Sequence, residues 1–116
     1  TSMKLQGEKK VYNAGEEIQL GLQFSLETTY FKLEELTRCS DESLLWRVIN
    51  SEDVRSLTSM SLRKKIWDLG PNGDGSHFYR VKSYGFQGQY LGWDSLKVYN
   101  ISPNLGKPRT KEARKC

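Results

Sequence analysis

The sequence predicts an all-β fold, on three observations. Ile18, Leu20, Leu22, Phe24 and Leu26 alternate with Gln19, Gly21, Gln23 and Ser25, a period of two that lines one face of a strand with apolar side chains. The stretch from Ser61 to Tyr99 repeats the pattern in shorter runs, with Tyr79 and Val81 set against Arg80 and Lys82, and Leu96 and Val98 flanking Lys97. Between these runs stand PNGDG (Pro71 to Gly75) and GFQGQ (Gly85 to Gln89), turn sequences in which Gly supplies positive φ and Asn and Asp tolerate it. The short second connection makes the runs on either side of it antiparallel neighbours.

Taken in order, the chain begins with a brief strand signal at Lys10-Val11-Tyr12, then a turn at Gly15 and the long alternating strand. Thr29 to Leu36 follows, with Phe31 and Leu33 alternating against Lys32 and Glu34; a helical turn over Leu33 to Leu36 is the rival reading. Leu44 to Ile49 forms the next strand, with Trp46 and Val48 on one face. Asn50 to Met60 is polar and Ser-rich and reads as an abbreviated loop, and Leu62 to Leu69 supplies a strand before the PNGDG turn. After Ile101 the apolar period ends. Residues 102–116 are basic and read as a tail or stalk.

A chain of 116 residues, 36% apolar and 28% charged, builds one domain around one core. No apolar run approaches the ~20 residues that span a bilayer as a helix. No signal peptide is recognisable at the front, which leaves a mature or an intracellular chain as the expectation. Charge is uneven along the +4 chain: residues 1–53 hold 6 Lys and Arg against 10 Asp and Glu, and residues 54–116 hold 12 against 4. Such polarity favours electrostatically steered contacts.

The chemistry-bearing residues argue against an enzyme. His77 is the lone histidine and has no Ser or Cys in a nucleophile elbow; beside its turn it reads as a surface residue. The carboxylate pairs Glu16-Glu17, Glu34-Glu35, Asp41-Glu42 and Glu52-Asp53 are sequence neighbours, which on strands point to opposite faces and cannot share a proton. No phosphate-binding glycine pattern and no metal-ligand spacing occur, and PNGDGS lacks the alternating oxygens and closing Glu of a calcium loop. No cofactor is expected. Arg63-Lys64-Lys65 and the basic tail invite nucleic acid, but no RNA-binding signature accompanies them. Cys39 and Cys116 could pair with each other, pair between chains or stay free.

Ile66 and Leu69, then Asp74-Gly75 shortly before Tyr79 and Val81, together with GEEIQLGL (Gly15 to Leu22), resemble the E-to-F passage and the B-strand entry of an immunoglobulin variable-type domain. The two inter-sheet cysteine positions would be Leu22 and Val81. Aliphatic residues at both resemble the disulfide-free variable-like domains of lymphocyte adhesion receptors of the signalling lymphocyte activation molecule family. The resemblance covers roughly Val11 to Asn100, and Leu33 stands where a core Trp is usual.

The resemblance implies an immunoglobulin-like sandwich over residues 1–101 that recognises another protein outside the cell, in adhesion or immune modulation. A pathogen-encoded mimic would read the same way, and a membrane anchor would lie outside this chain. Binding would use the sheet of G, F, C and C′ strands. Lys32, Glu34, Arg80, Lys82 and Lys97 project from it, and Tyr84, Phe86 and Tyr90 cluster beside Trp93 at the F–G turn. The expected partner is an immunoglobulin-like or acidic cell-surface protein. Asn100-Ile101-Ser102 is an N-glycosylation acceptor sequence, with Pro103 weighing against its use.

One other fold competes. Trp46-Arg47-Val48 and Tyr79-Arg80-Val81 recur, and YLGWD (Tyr90 to Asp94) resembles a β-trefoil repeat. That alternative would make the chain a protease inhibitor or a glycan-binding module.

Overall fold

In a computed structural model, residues 3–13, 15–54, 58–65 and 70–101 are described. They form eight strands: β1 (Lys4–Gly7), β2 (Val11–Asn13), β3 (Glu17–Gln23), β4 (Tyr30–Arg38), β5 (Leu44–Asp53), β6 (Ser59–Lys65), β7 (Ser76–Tyr84) and β8 (Tyr90–Ile101). One sheet runs β1-β3-β6 and the other β2-β8-β7-β4-β5. All pairings are antiparallel except that of β2 with β8, which is parallel. Read as A-B-E against A′-G-F-C-C′, this is an immunoglobulin-like β-sandwich of variable type.

Each sheet turns its apolar rows inward. Ile18, Leu20 and Leu22 from β3 meet Phe31 and Leu33 from β4, Tyr79 and Val81 from β7 and Val98 from β8 in one buried cluster. Leu22 and Val81, the positions without sulfur, are 1% and 0% exposed. Two polar ties join the sheets at opposite margins. The Asp94 carboxylate of β8 accepts a hydrogen bond from the Leu5 N–H of β1 at 2.8 Å. Across the other margin, Lys64 of β6 reaches Glu35 of β4 at 3.1 Å.

The turns obey their sequences. Gly70, Gly73 and Gly75 all take positive φ, and the Asp74 carboxylate accepts from the Ser76 N–H at 2.9 Å. At Gly75 a side chain has no room: a Cβ would lie 2.6 Å from the Asn100 carbonyl oxygen. Arg38 fastens this turn to the β4–β5 hairpin, donating from Nε to the Pro71 carbonyl at 2.5 Å and from Nη2 to Asn72 Oδ1 at 3.1 Å. Cys39, at the same hairpin, is fully buried and disulfide-bonded; Cys116 lies outside the described residues.

Several expectations are corrected. Leu26 does not continue the inward row and is 89% exposed, because β3 ends at Gln23 and the Phe24 N–H turns to the Thr58 carbonyl. His77 is buried at 4%, since it lies inside β7 opposite Val98 and not on the turn. β5 runs to Asp53 through residues expected to loop, whereas the strand expected over Thr29 to Leu36 does form, from Tyr30 onward, in place of its helical rival. The short β1 was unforeseen, although Met3 just before it and Leu5 within it are both buried.

Asn100 is 0% exposed, inside β8, with its backbone N–H given to the Gly75 carbonyl. That burial leaves no room for a glycan at Asn100 in the folded domain, against the acceptor expectation. The trefoil is overturned by the two-sheet topology, and its repeat has no structural counterpart. Trp46 faces outward beneath Arg80 whereas the supposedly equivalent Tyr79 is 0% exposed in the core. The tail 102–116, and Ile66 and Leu69, lie outside the described residues.

Candidate protein-recognition face

The outer face of the five-stranded sheet collects nearly every residue expected to bind a partner. Strand alternation alone sends Tyr30, Lys32 and Glu34 of β4 outward, together with Phe78, Arg80, Lys82 and Tyr84 of β7. Register then aligns them. Lys82 pairs with Lys32 on one side and Trp93 on the other, Arg80 with Glu34 and Ser95, and Phe78 with Lys97. Tyr84 stands between Tyr30 and Tyr90 in the row nearest the β7–β8 turn.

Cations and aromatic rings are interleaved across this face. The Arg80 guanidinium lies 4.3 Å from the Trp46 ring centroid. The Lys32 ammonium is 5.5 Å from the Tyr84 ring and that of Lys97 is 5.6 Å from Phe78. These separations are within the range in which a ring quadrupole attracts a cation. Tyr84 also packs its ring against Tyr30 and Tyr90, with centroids 6.0 and 5.9 Å away. The stacked side chains are therefore held in place before any partner arrives, which lowers the ordering cost of binding.

Glu34 departs from expectation. It lies on this face but does not project from it, being 7% exposed. Arg80 Nε donates to its Oε1 at 2.6 Å and Lys82 Nζ stands at 3.6 Å from the same oxygen. Two of the four cations thus spend much of their field on a covered carboxylate. Lys32 and Lys97 have no anionic partner among the described ion pairs, so the face keeps a positive excess.

Apolar area completes the surface. Trp93 is 61% exposed and Tyr90 54%, while Leu44 and Val48 bring exposed aliphatic area from β5 at the far side. Phe86, 86% exposed, sits on the turn past the end of the sheet, where the Gly85 N–H donates to the Gln89 carbonyl. Trp46, Phe78 and Tyr30 were not foreseen as site residues, and Trp93 was foreseen only as a neighbour of the aromatic cluster. The alternation that selected Lys32 and Arg80 also selects these; what it lacked was the register that sets them side by side.

Among the described residues no three His, Cys, Asp or Glu side chains come together to hold a metal ion. A cleft of about 230 Å³ opens beside Trp93, lined by Met3, Ser25, Glu27 and Ser83, below the ~300–1,000 Å³ typical of small-molecule sites.

No protein-family model matches the chain. No curated protein matches it either. Solved structures are similar in shape. The fibronectin(III)-like modules of CbhA from Clostridium thermocellum superpose with a TM-score of 0.57 at 18% identity, covering 86% of this chain and 96% of theirs. The human F-spondin reeler domain gives 0.52 at 10% identity, over 86% of this chain and 93% of its own. Spo0M, a sporulation control protein of Bacillus subtilis, gives 0.50 at 13% identity, over 85% of this chain and 48% of Spo0M. At such identities the likeness is one of fold, and it agrees with the strand order: the chain is an all-β, immunoglobulin-like β-sandwich.

Proposed function

We propose that this domain is an extracellular protein-recognition module that docks a second, acidic protein onto the outer face of its five-stranded sheet. The observation that carries the reading is the interleaving of Lys32, Arg80 and Lys97 with Tyr84, Trp46 and Phe78. Tyr, Trp and Arg are the side chains that most often anchor interfaces, and here they are pre-stacked around a positive excess. The disulfide at Cys39 supports an oxidising compartment. A role in adhesion or immune modulation, on a cell surface or as a secreted ligand, rests on the aliphatic pair Leu22 and Val81 and on the sheet being the one such receptors use.

The test is capture from cell-surface proteins with the intact chain as bait, followed by affinity measurement against the captured partner. Trp93→Ala and Lys97→Glu change exposed side chains on the face, and each should weaken binding by about tenfold or more. Association should slow as salt rises. Lys4→Glu, on the opposite sheet, should leave binding unchanged. Equal affinity of all three variants would place the partner elsewhere.

A further inference from the structure

The ten-residue β5 is the rim of the five-stranded sheet, and among the described residues no strand pairs with its outer edge. Hydrogen bonds at its two ends show which of its backbone groups are spent on β4. The Cys39 N–H donates to the Ser43 carbonyl, and the Val54 N–H to the Thr29 carbonyl, both at 2.8 Å. Bonded and non-bonded pairs alternate along an antiparallel ladder. Counted from the hairpin, Leu45 and Arg47 turn their backbone groups to β4. Counted back from Val54, Glu52 and Asn50 do. The two counts differ in parity, and the bulge at Ile49, where Leu33 pairs with Asn50 but Glu34 with Val48, absorbs the difference. Among the described residues, the N–H and C=O groups left open therefore belong to Leu44, Trp46 and Val48 before the bulge and to Ser51 and Asp53 after it.

This change of parity matters for self-pairing. About a two-fold axis passing between Ile49 and Asn50, Val48 meets Ser51 of a second copy and Trp46 meets its Asp53. Every such pair joins free groups to free groups. In a strand of unbroken parity the same register would set free groups against spent ones. The register also places Arg47 opposite Glu52 of the second copy, twice over by symmetry, and opposite charges across a ladder stabilise it. Leu44, Leu45 and Val48 are 48%, 45% and 45% exposed along this rim. LLWRVINSED carries neither Pro nor Lys, two of the guards of an edge strand.

We propose that the chain self-associates through β5, two copies joining edge to edge about this two-fold axis to continue one sheet into the other. The inference goes beyond the recognition reading and uses the edge of the sheet, not its face. It leaves Trp93 and Lys97 of both copies open on one continuous surface, so a dimer would present two recognition faces and gain avidity for a multivalent partner.

Sedimentation equilibrium on the full chain over a concentration series tests it. Ser51→Pro removes an N–H that points away from β4, a substitution an edge strand accommodates; Glu52→Arg sets like charges opposite Arg47. Circular dichroism and the melting temperature establish that each variant is folded. Both should raise the dimer dissociation constant by about tenfold or more, while Lys97→Glu should leave it unchanged. A wild-type chain that stays monomeric up to ~1 mM overturns the proposal. So does a folded Glu52→Arg or Ser51→Pro variant that dimerises as the wild type does, or a dimer lost to Lys97→Glu alone.

Discussion

Arg80 donates from Nε to Glu34 Oε1 at 2.6 Å across the β7–β4 ladder, and Glu34 is almost wholly covered. The pair is therefore part of the fold as well as of the face. Arg80→Glu would set a second carboxylate beside the first and unfold the domain in part, so loss of binding in that variant would not identify a contact. Arg80→Ala should cost about 1–3 kcal/mol in urea denaturation, less than for a fully buried pair because Arg80 keeps some solvent. Arg80→Lys should recover part of the charge but not the stacking on Trp46.

The sulfur-free positions give a second expectation. Leu22→Ala should destabilise by ~2–4 kcal/mol and Val81→Ala by somewhat less, since both open cavities in the close-packed centre. Leu26→Ser, four residues along the same sequence pattern but 89% exposed, should stay within about 0.5 kcal/mol of the wild type. Equal effects at Leu22 and Leu26 would mean that β3 continues past Gln23.

Gly75 combines φ 89° with a Cβ position 2.6 Å from the Asn100 carbonyl oxygen. Gly75→Ala should therefore cost about 2 kcal/mol or more, from left-handed strain and the forced separation of two backbones. Gly73→Ala, at φ 70° but with nothing within 4 Å of the added carbon, should cost only the strain, about 1 kcal/mol.

Acid should loosen the same turn. The Ser76 N–H holds the Asp74 carboxyl below its ordinary value of 3.8. A carboxylate lowered in the folded state contributes stability that is complete above the unfolded pKa and disappears as pH falls through the folded one. The stability gap between wild type and Asp74→Asn should thus be constant near neutrality and close below about pH 4. A gap that does not narrow as the pH falls below about 4 would mean that the ionised carboxylate is not what holds Ser76.

Asn100 offers a simple check. Secreted from a glycosylating host, the chain should keep its unmodified mass at this site, and glycosidase treatment should change nothing there. Asn100→Gln should destabilise by about 1–3 kcal/mol, because the longer amide must be fitted into a fully buried position. A glycan at Asn100 on folded protein would contradict its burial.

Period-two alternation was enough, by itself, to determine most of the longer strands and the faces of their central residues. Ile18, Leu20, Leu22, Leu33, Val81 and Val98 could be placed inside, and Lys32, Arg80, Lys82 and Lys97 outside, because a strand allows only two directions for a side chain. The glycine turns likewise declared their φ signs at Gly73 and Gly75. Those are local properties, carried by neighbours in sequence.

What the tertiary structure alone decided depends on residues far apart. Glu34 is covered because Arg80 and Lys82, 46 and 48 positions away, close over it. His77 is buried and Leu26 exposed because a strand ends where its ladder partner ends, not where the apolar pattern does. Trp46 joins the outer face of the sheet beside Arg80 only because β5 lies beside β4 in register, with a bulge that no residue type in LLWRVINSED announces. Alternation determines which side a residue takes; the pairing of strands determines what it meets there. Only the second creates a covered ion pair, a stacked cation or an open edge.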